Sequence, residues 1–185
     1  MTRLLSSKIV AGALTIVFAY IGLHLFAGSR SADLLAGWIA GANYSAGLFD
    51  QIYPGYADGF TLHPHPAWPD MIGQTEYRGP VFPFIYAPIW AWAMSHIPSY
   101  EAFRVFAFFV LITNLLLMSA MVWLAMQITR SSMPPVLYVS LGALLFAMTT
   151  AGNIALVEGQ IQILVSVLIL LAIERTQAGR QTAAG

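Results

Sequence analysis

The stretch VFAFFVLITNLLLMSAMVWLAMQIT, Val105 to Thr129, decides the fold class. It lies between Arg104 and Arg130 and carries no charge. A helix needs about 20 mostly apolar residues to cross the ~30 Å hydrocarbon core of a bilayer, so this run is long enough. A charge held at mid-bilayer would cost about 2.5–3.5 kcal/mol on insertion scales, which gives uncharged gaps energetic weight. Three more gaps resemble it. Ile9 to Ser29 is uncharged between Lys8 and Arg30, Ser131 to Val157 is uncharged before Glu158, and Gly159 to Ile173 is uncharged before Glu174. The pattern predicts an all-α integral membrane protein with about four transmembrane helices, near residues 9–28, 104–128, 134–152 and 160–174. The apolar run near the N-terminus exceeds the about 7 to 15 residues of a signal-peptide core, so it is expected to be an uncleaved first span.

The composition agrees. The 185-residue chain is 58% hydrophobic and 9% charged, where a soluble domain carries about 25% charged residues. Mean hydropathy is +0.72. Eight basic and eight acidic side chains cancel, so no basic surface points to nucleic acid. The absence of cysteine excludes disulfides, thiolate nucleophiles and cysteine-bound metal. No Gly-rich phosphate loop, HExxH motif or Ser/His/Asp arrangement stands out. No internal repeat appears either, which argues against a transporter built from inverted repeats.

A fifth uncharged stretch, Gly79 to Tyr100, contains Pro80, Pro83, Pro88 and Pro98. Its proline-free centre, Ile89 to Ile97, is too short to span. Trp90 and Trp92 suit the headgroup level, so an interfacial helix is expected there. Charge asymmetry favours the same count. With four spans and Arg3 and Lys8 inside, Arg130, Arg175 and Arg180 also fall inside. A fifth span would place Arg130 and the basic tail outside. The N-terminus is therefore expected to be cytoplasmic, with residues 29–103 forming one long outer loop.

That loop holds six of the eight acids (Asp33, Asp50, Asp58, Asp70, Glu76 and Glu101) and three of the four histidines (His63, His65 and His96). Loops of this length are usually functional or disordered, and the many aromatic residues argue for order. The first part, SADLLAGWIAGANYSAG, reads as a helix. Ser31 is placed to cap it and Asp33 falls in its first turn, where an acid suits the helix dipole. Leu34, Leu35, Trp38, Ile39 and Ala42 share an apolar face, while Asp33, Gly37, Gly41 and Tyr44 share a small-residue face. The helix is expected to end near Gly47 and to lie along the membrane surface.

Three segments carry a family resemblance. An Asp opening an aromatic, small-residue helix that ends in a Gly and then Ile52-Tyr53 is similar to the start of glycosyltransferase family 87 proteins, the DUF2029 group. FIYAPIWAWAMSHIPSYEAFRVF resembles the family's Y-P-P-x-x-x-L-x-x-P-L-x-x-L-P segment. LVEGQIQILVSVLILLAIERTQAGRQTAAG resembles its G-Q-x-N-x-L segment, with the apolar run and basic turn that follow. Ala87-Pro88 stands where the family has Pro-Pro, and Gln162 where it often has Asn. The likeness covers the whole chain but about the first half of the family's length, so a truncated chain or an inactive fragment is one expectation.

The resemblance implies a GT-C-like N-terminal module in the bacterial inner membrane. Such enzymes move a hexosyl unit, of mannosyl or arabinosyl type, from a polyprenyl-phosphate donor to an acceptor hydroxyl on the outer face. Expected partners are the lipid bilayer, the polyprenyl-phosphate sugar and a glycan or glycolipid acceptor, with no tightly bound cofactor or metal. Asp33 matches the family's catalytic aspartate, and a carboxylate is a suitable base for a hydroxyl proton. A lipid-phosphate leaving group needs cationic or N–H stabilisation. Gln160, Tyr86, Arg78, Glu158, His63 and His65 are the candidate substrate contacts, against ordinary roles in loops, anchors and helix caps. His24, within the first span, is expected to be buried and hydrogen-bonded. The competing class is a non-enzymatic membrane protein, a transporter segment or an assembly subunit, with His24 and Glu158 as pathway residues.

Overall fold

The computed structural model describes residues 9, 12–17, 19–20, 24, 31–53, 64–79 and 82–179. These residues are helical or irregular, with no strand among them. The labelled helices are α1 (Ala32–Ser45), α2 (Trp68–Gly73), α3 (Pro88–Met94), α4 (Tyr100–Thr129), α5 (Pro135–Ala147), α6 (Thr150–Val157) and α7 (Gln162–Gln177). The described residues of the N-terminal segment, 9, 12–17, 19–20 and 24, are also helical. The chain divides into two compact units, Gly28–Phe109 and Met1–Ala27 with Val110–Gly185.

Among the described residues, only α4 is long and apolar enough by itself to cross a membrane, with a mean hydropathy of 2.4 over its most apolar window. Just 28% of that window is buried within the structure. The expected span at 134–152 is instead a helix pair, α5 and α6, bent by 90°. The physical cause is local. The Thr149 hydroxyl donates to the Phe146 carbonyl at 2.7 Å, and its oxygen accepts the Gly152 amide at 3.0 Å. One side chain thus ends α5 and caps α6. A Cβ at Gly152 would overlap the Phe146 carbonyl, so the close turn requires glycine. Counted as one broken span, this pair would bring the number of candidate spans to two. The 16-residue α7 is shorter than an ordinary span. The expected span at 9–28 lies largely outside the described residues.

In the unit containing α5 to α7, one face of α4 forms the core. Leu111, Leu115, Met118 and Val122 recur at helical spacing and pack with Ala143, Ala147, Ala155, Leu156 and Ile163. Gly142 leaves room for the Val122 side chain, which a Cβ there would strike. Leu116 and Trp123 on α4, and Leu168, Ile169 and Ile173 on α7, remain exposed. Two polar contacts tie the unit together. Thr15 and Ser140 share a 2.8 Å hydroxyl hydrogen bond, and buried Asn114 donates to the Ala155 carbonyl at 3.5 Å. His24, expected to be buried, is exposed and stacks on Tyr20 one turn earlier, with ring centroids 6.0 Å apart.

In the Gly28–Phe109 unit, α1 is buried on more than its apolar face. Leu35 and Ile39 are fully buried, and so are Ala32, Ala36 and Ala40. Gly37 and Gly41 form a small-xxx-small pair that receives α3. A Cβ on Gly41 would stand 2.6 Å from the Met94 carbonyl carbon and 2.7 Å from the Ser95 nitrogen. Backbone therefore touches backbone at this crossing. Trp38 leans the other way, donating to the Ile97 carbonyl at 3.2 Å and packing on Tyr100 and Phe103. α3 has only seven residues, about 10 Å at 1.5 Å per residue, which is too short to span. It buries Ala91 and Met94 and exposes Ile89, Trp90 and Trp92.

The ends of α1 separate two expectations. Its C-terminus is as read. Gly47 has φ +74°, its amide meets the Tyr44 carbonyl, and the Leu48 amide reaches back to Asn43. This is a Schellman closure, in which glycine takes the left-handed position at no Cβ cost. At the N-terminus Ser31 does occupy the cap position, but its side chain makes no capping hydrogen bond. Its backbone is left-handed instead, with φ 49°.

Candidate functional site

Asp33 sits in the first turn of α1, half-buried. The Tyr86 hydroxyl donates to its Oδ2 at 3.3 Å. Two residues 53 positions apart are thereby brought together. Each is positioned by its own helix. Asp33 lies on α1, while Tyr86 precedes the extended cap residue Ala87 and Pro88, the first residue of α3. The contact pairs Asp33–Tyr86 and Gly41–Met94 advance together, so α1 and α3 run in the same sense.

Behind Tyr86 stands an aromatic group that the sequence reading missed. The Tyr53 hydroxyl donates to the Tyr86 carbonyl at 2.9 Å. The buried Phe84 ring lies 5.6 Å from Tyr53 and 5.8 Å from Tyr86, centroid to centroid. Tyr53 follows a 3-10 turn, Phe49–Gln51, that is held from two sides. Buried Trp68 donates its indole N–H to the Gln51 carbonyl at 2.8 Å, and buried Asn43 donates to the same oxygen at 3.4 Å. The pair Ile52-Tyr53, which closes the first resembling segment, was the available signal for this role.

The other candidates fall elsewhere. Arg78 turns back on its own loop, donating to the Thr75 carbonyl at 2.9 Å and the Tyr77 carbonyl at 2.7 Å. Those bonds brace the loop through one guanidinium nitrogen, while the residue itself is exposed. His65 accepts the Ala67 amide on Nδ1 at 3.2 Å, which shapes the turn leading into α2. His63 lies outside the described residues. Among the described residues no three His, Asp or Glu side chains converge as a metal site.

Glu158 and Gln160 belong to the other unit. Glu158 is the C-cap residue of α6, Gly159 has φ +67°, and the Gln160 amide closes on the Ala155 carbonyl at 3.0 Å. The Glu-Gly-Gln sequence is thus a helix stop. Beyond it, Gln160, Gln162 and Ser166 put polar groups onto a cavity of about 320 Å³ otherwise lined by Met121, Phe146 and Ile154 among others.

What this arrangement supplies is one carboxylate at the positive end of a firmly packed helix, accepting a hydroxyl hydrogen bond from Tyr86. It can take a proton from a hydroxyl brought within reach. Comparison of the chain with protein-family models, with curated proteins and with solved structures gives no match.

Proposed function

We propose that this chain is a membrane glycosyltransferase of the family 87 type, with Asp33 as its general base. In this reading the four apolar segments cross a bacterial inner membrane and the N-terminus is cytoplasmic. The Gly28–Phe109 unit then faces outward, with Trp90 and Trp92 of α3 at the headgroup level. The sugar comes from a polyprenyl-phosphate donor and goes to a glycan or glycolipid hydroxyl. That oxygen attacks the anomeric carbon while its proton passes to the Asp33 carboxylate. The bond from the anomeric carbon to the phosphate oxygen breaks, its electron pair leaves with the lipid phosphate, and the configuration inverts.

One observation carries the proposal. Asp33 and Tyr86 come from two separate segments that resemble the family, and they meet in a hydrogen bond. The exposed apolar surfaces of α3, α4 and α7 support a lipid environment, since such surfaces are unfavourable in water. The test is transfer of radiolabel from polyprenyl-phosphate mannose or polyprenyl-phosphate arabinose into lipid-extractable or polymeric glycan. Membranes containing the protein expressed from its own gene should catalyse it and membranes lacking the gene should not. Equal incorporation in both refutes the proposal.

A further inference from the structure

We infer that Tyr86 is the positioning residue for Asp33, and that Tyr53 holds Tyr86 in place for this task. The inference deepens the glycosyltransferase proposal and rests on it. An aspartate carboxylate turns easily, because its final torsion is broad and roughly two-fold. A base needs a defined orientation, since reacting groups must approach within hydrogen-bond distance in line. The Tyr86 hydroxyl on Oδ2 at 3.3 Å supplies that constraint.

The donor is itself fixed at three points. Its carbonyl accepts the Tyr53 hydroxyl at 2.9 Å, its ring packs on buried Phe84, and the next two residues open α3. α3 in turn is locked to α1 by the Gly41–Met94 backbone contact. The helix that carries the carboxylate and the loop that carries the phenol thus form one packed body. The 3.3 Å separation is longer than the usual ~2.7–2.8 Å for a hydroxyl donor. Hydrogen bonds at catalytic groups are often long without substrate and tighten when it binds.

The experiment measures donor and acceptor kinetics for Tyr86→Phe, Tyr53→Phe and Asp33→Asn in the same membranes. Tyr86→Phe keeps the ring on Phe84 and removes only the hydroxyl. A hydrogen bond to a charged group is worth enough to change a rate about 10- to 100-fold. We expect kcat to fall by about that factor, with KM for both substrates within about twofold and the protein still folded at the assay temperature. Tyr53→Phe leaves the Asp33 contact but loosens its support, so kcat should fall less, again without a change in KM. Should Tyr86→Phe fail to accumulate, Tyr53→Phe decides alone, and a wild-type kcat there overturns the inference. Wild-type kcat in Tyr86→Phe while Asp33→Asn is inactive overturns the positioning role and leaves the base assignment standing. A fall in kcat matched by a lower melting temperature and a higher KM makes Tyr86 merely structural and also overturns it. Full activity in Asp33→Asn overturns the proposal beneath it.

Discussion

Alanine at Gly41 and alanine at Gly37 should have opposite effects, although both glycines lie on the same helix face. A Cβ on Gly41 would stand 2.6–2.8 Å from the Met94 carbonyl carbon, the Ser95 nitrogen and Met94 Cβ. Two of these three atoms are backbone, so no rotamer change relieves the clash and the helices must separate. Overpacking of this kind costs about 1–3 kcal/mol. The intrinsic helix preference of alanine over glycine returns up to about 1 kcal/mol. A Cβ on Gly37 meets only the flexible end of Met94, at 3.5 and 3.7 Å, which is ordinary contact. Gly37→Ala should therefore keep most of the propensity gain. The expected difference between the variants is about 2 kcal/mol, or about 4–8 °C in Tm for a chain of this size. The assay is thermal unfolding of the purified protein in detergent, followed by tryptophan fluorescence. Equal melting temperatures for the two variants would refute the backbone-to-backbone crossing of α1 and α3. Under the proposed function, Gly41→Ala should also lower glycosyl transfer, because it shifts Tyr86 relative to Asp33.

Other outcomes follow from local geometry. Arg130 has φ 51° at the C-terminus of α4, and a left-handed non-glycine residue costs about 1–2 kcal/mol, so Arg130→Gly should raise Tm by a few degrees; a lower Tm would contradict this. Thr149→Ala removes the cap on the Gly152 amide and should cost about 1 kcal/mol, read as a lower Tm. Ser131→Cys places a thiol in a chain with no native cysteine. An impermeant maleimide should label it only from the cytoplasmic side, and labelling from outside would contradict the four-span topology.

Some of this molecule was legible in its sequence because the deciding signals are local. The charge-free run before Arg130 marked the long helix α4, and Gly47 marked the end of α1. Prolines at 80, 83, 88 and 98 explain why α3 is only seven residues long. The break at Thr149 was not legible, because no proline or charge interrupts the stretch from Val136 to Val157. A single hydroxyl and the absent Cβ of Gly152 make that turn. Ser31 misled for a related reason, since its residue type suits a cap but its backbone is left-handed.

The candidate site was legible in part. Asp33 and Tyr86 were each singled out, but no periodicity relates residues 53 positions apart. Their pairing depends on the Gly41 crossing, and that crossing is a tertiary fact. Tyr53 and Phe84 stand inside the resembling segments but were given no role of their own, because an aromatic residue in a loop does not show what it packs against until its neighbours are known. Arg78 and His65 were candidate substrate contacts by their chemistry, weighed against anchoring and loop roles. Their hydrogen bonds run to carbonyls and amides within three residues. Such short-range bonds depend on the backbone path, which residue type does not specify.

The most direct measurement is sugar transfer by Asp33→Asn. The carboxylate is replaced by an amide of the same shape that cannot serve as a base at neutral pH. Membranes carrying wild-type protein, Asp33→Asn or Asp33→Glu would be given radiolabelled polyprenyl-phosphate mannose and, separately, polyprenyl-phosphate arabinose. The account predicts that Asp33→Asn loses at least about 100-fold in kcat while the protein stays folded, and that Asp33→Glu retains more activity than Asp33→Asn. Wild-type transfer by Asp33→Asn would contradict it.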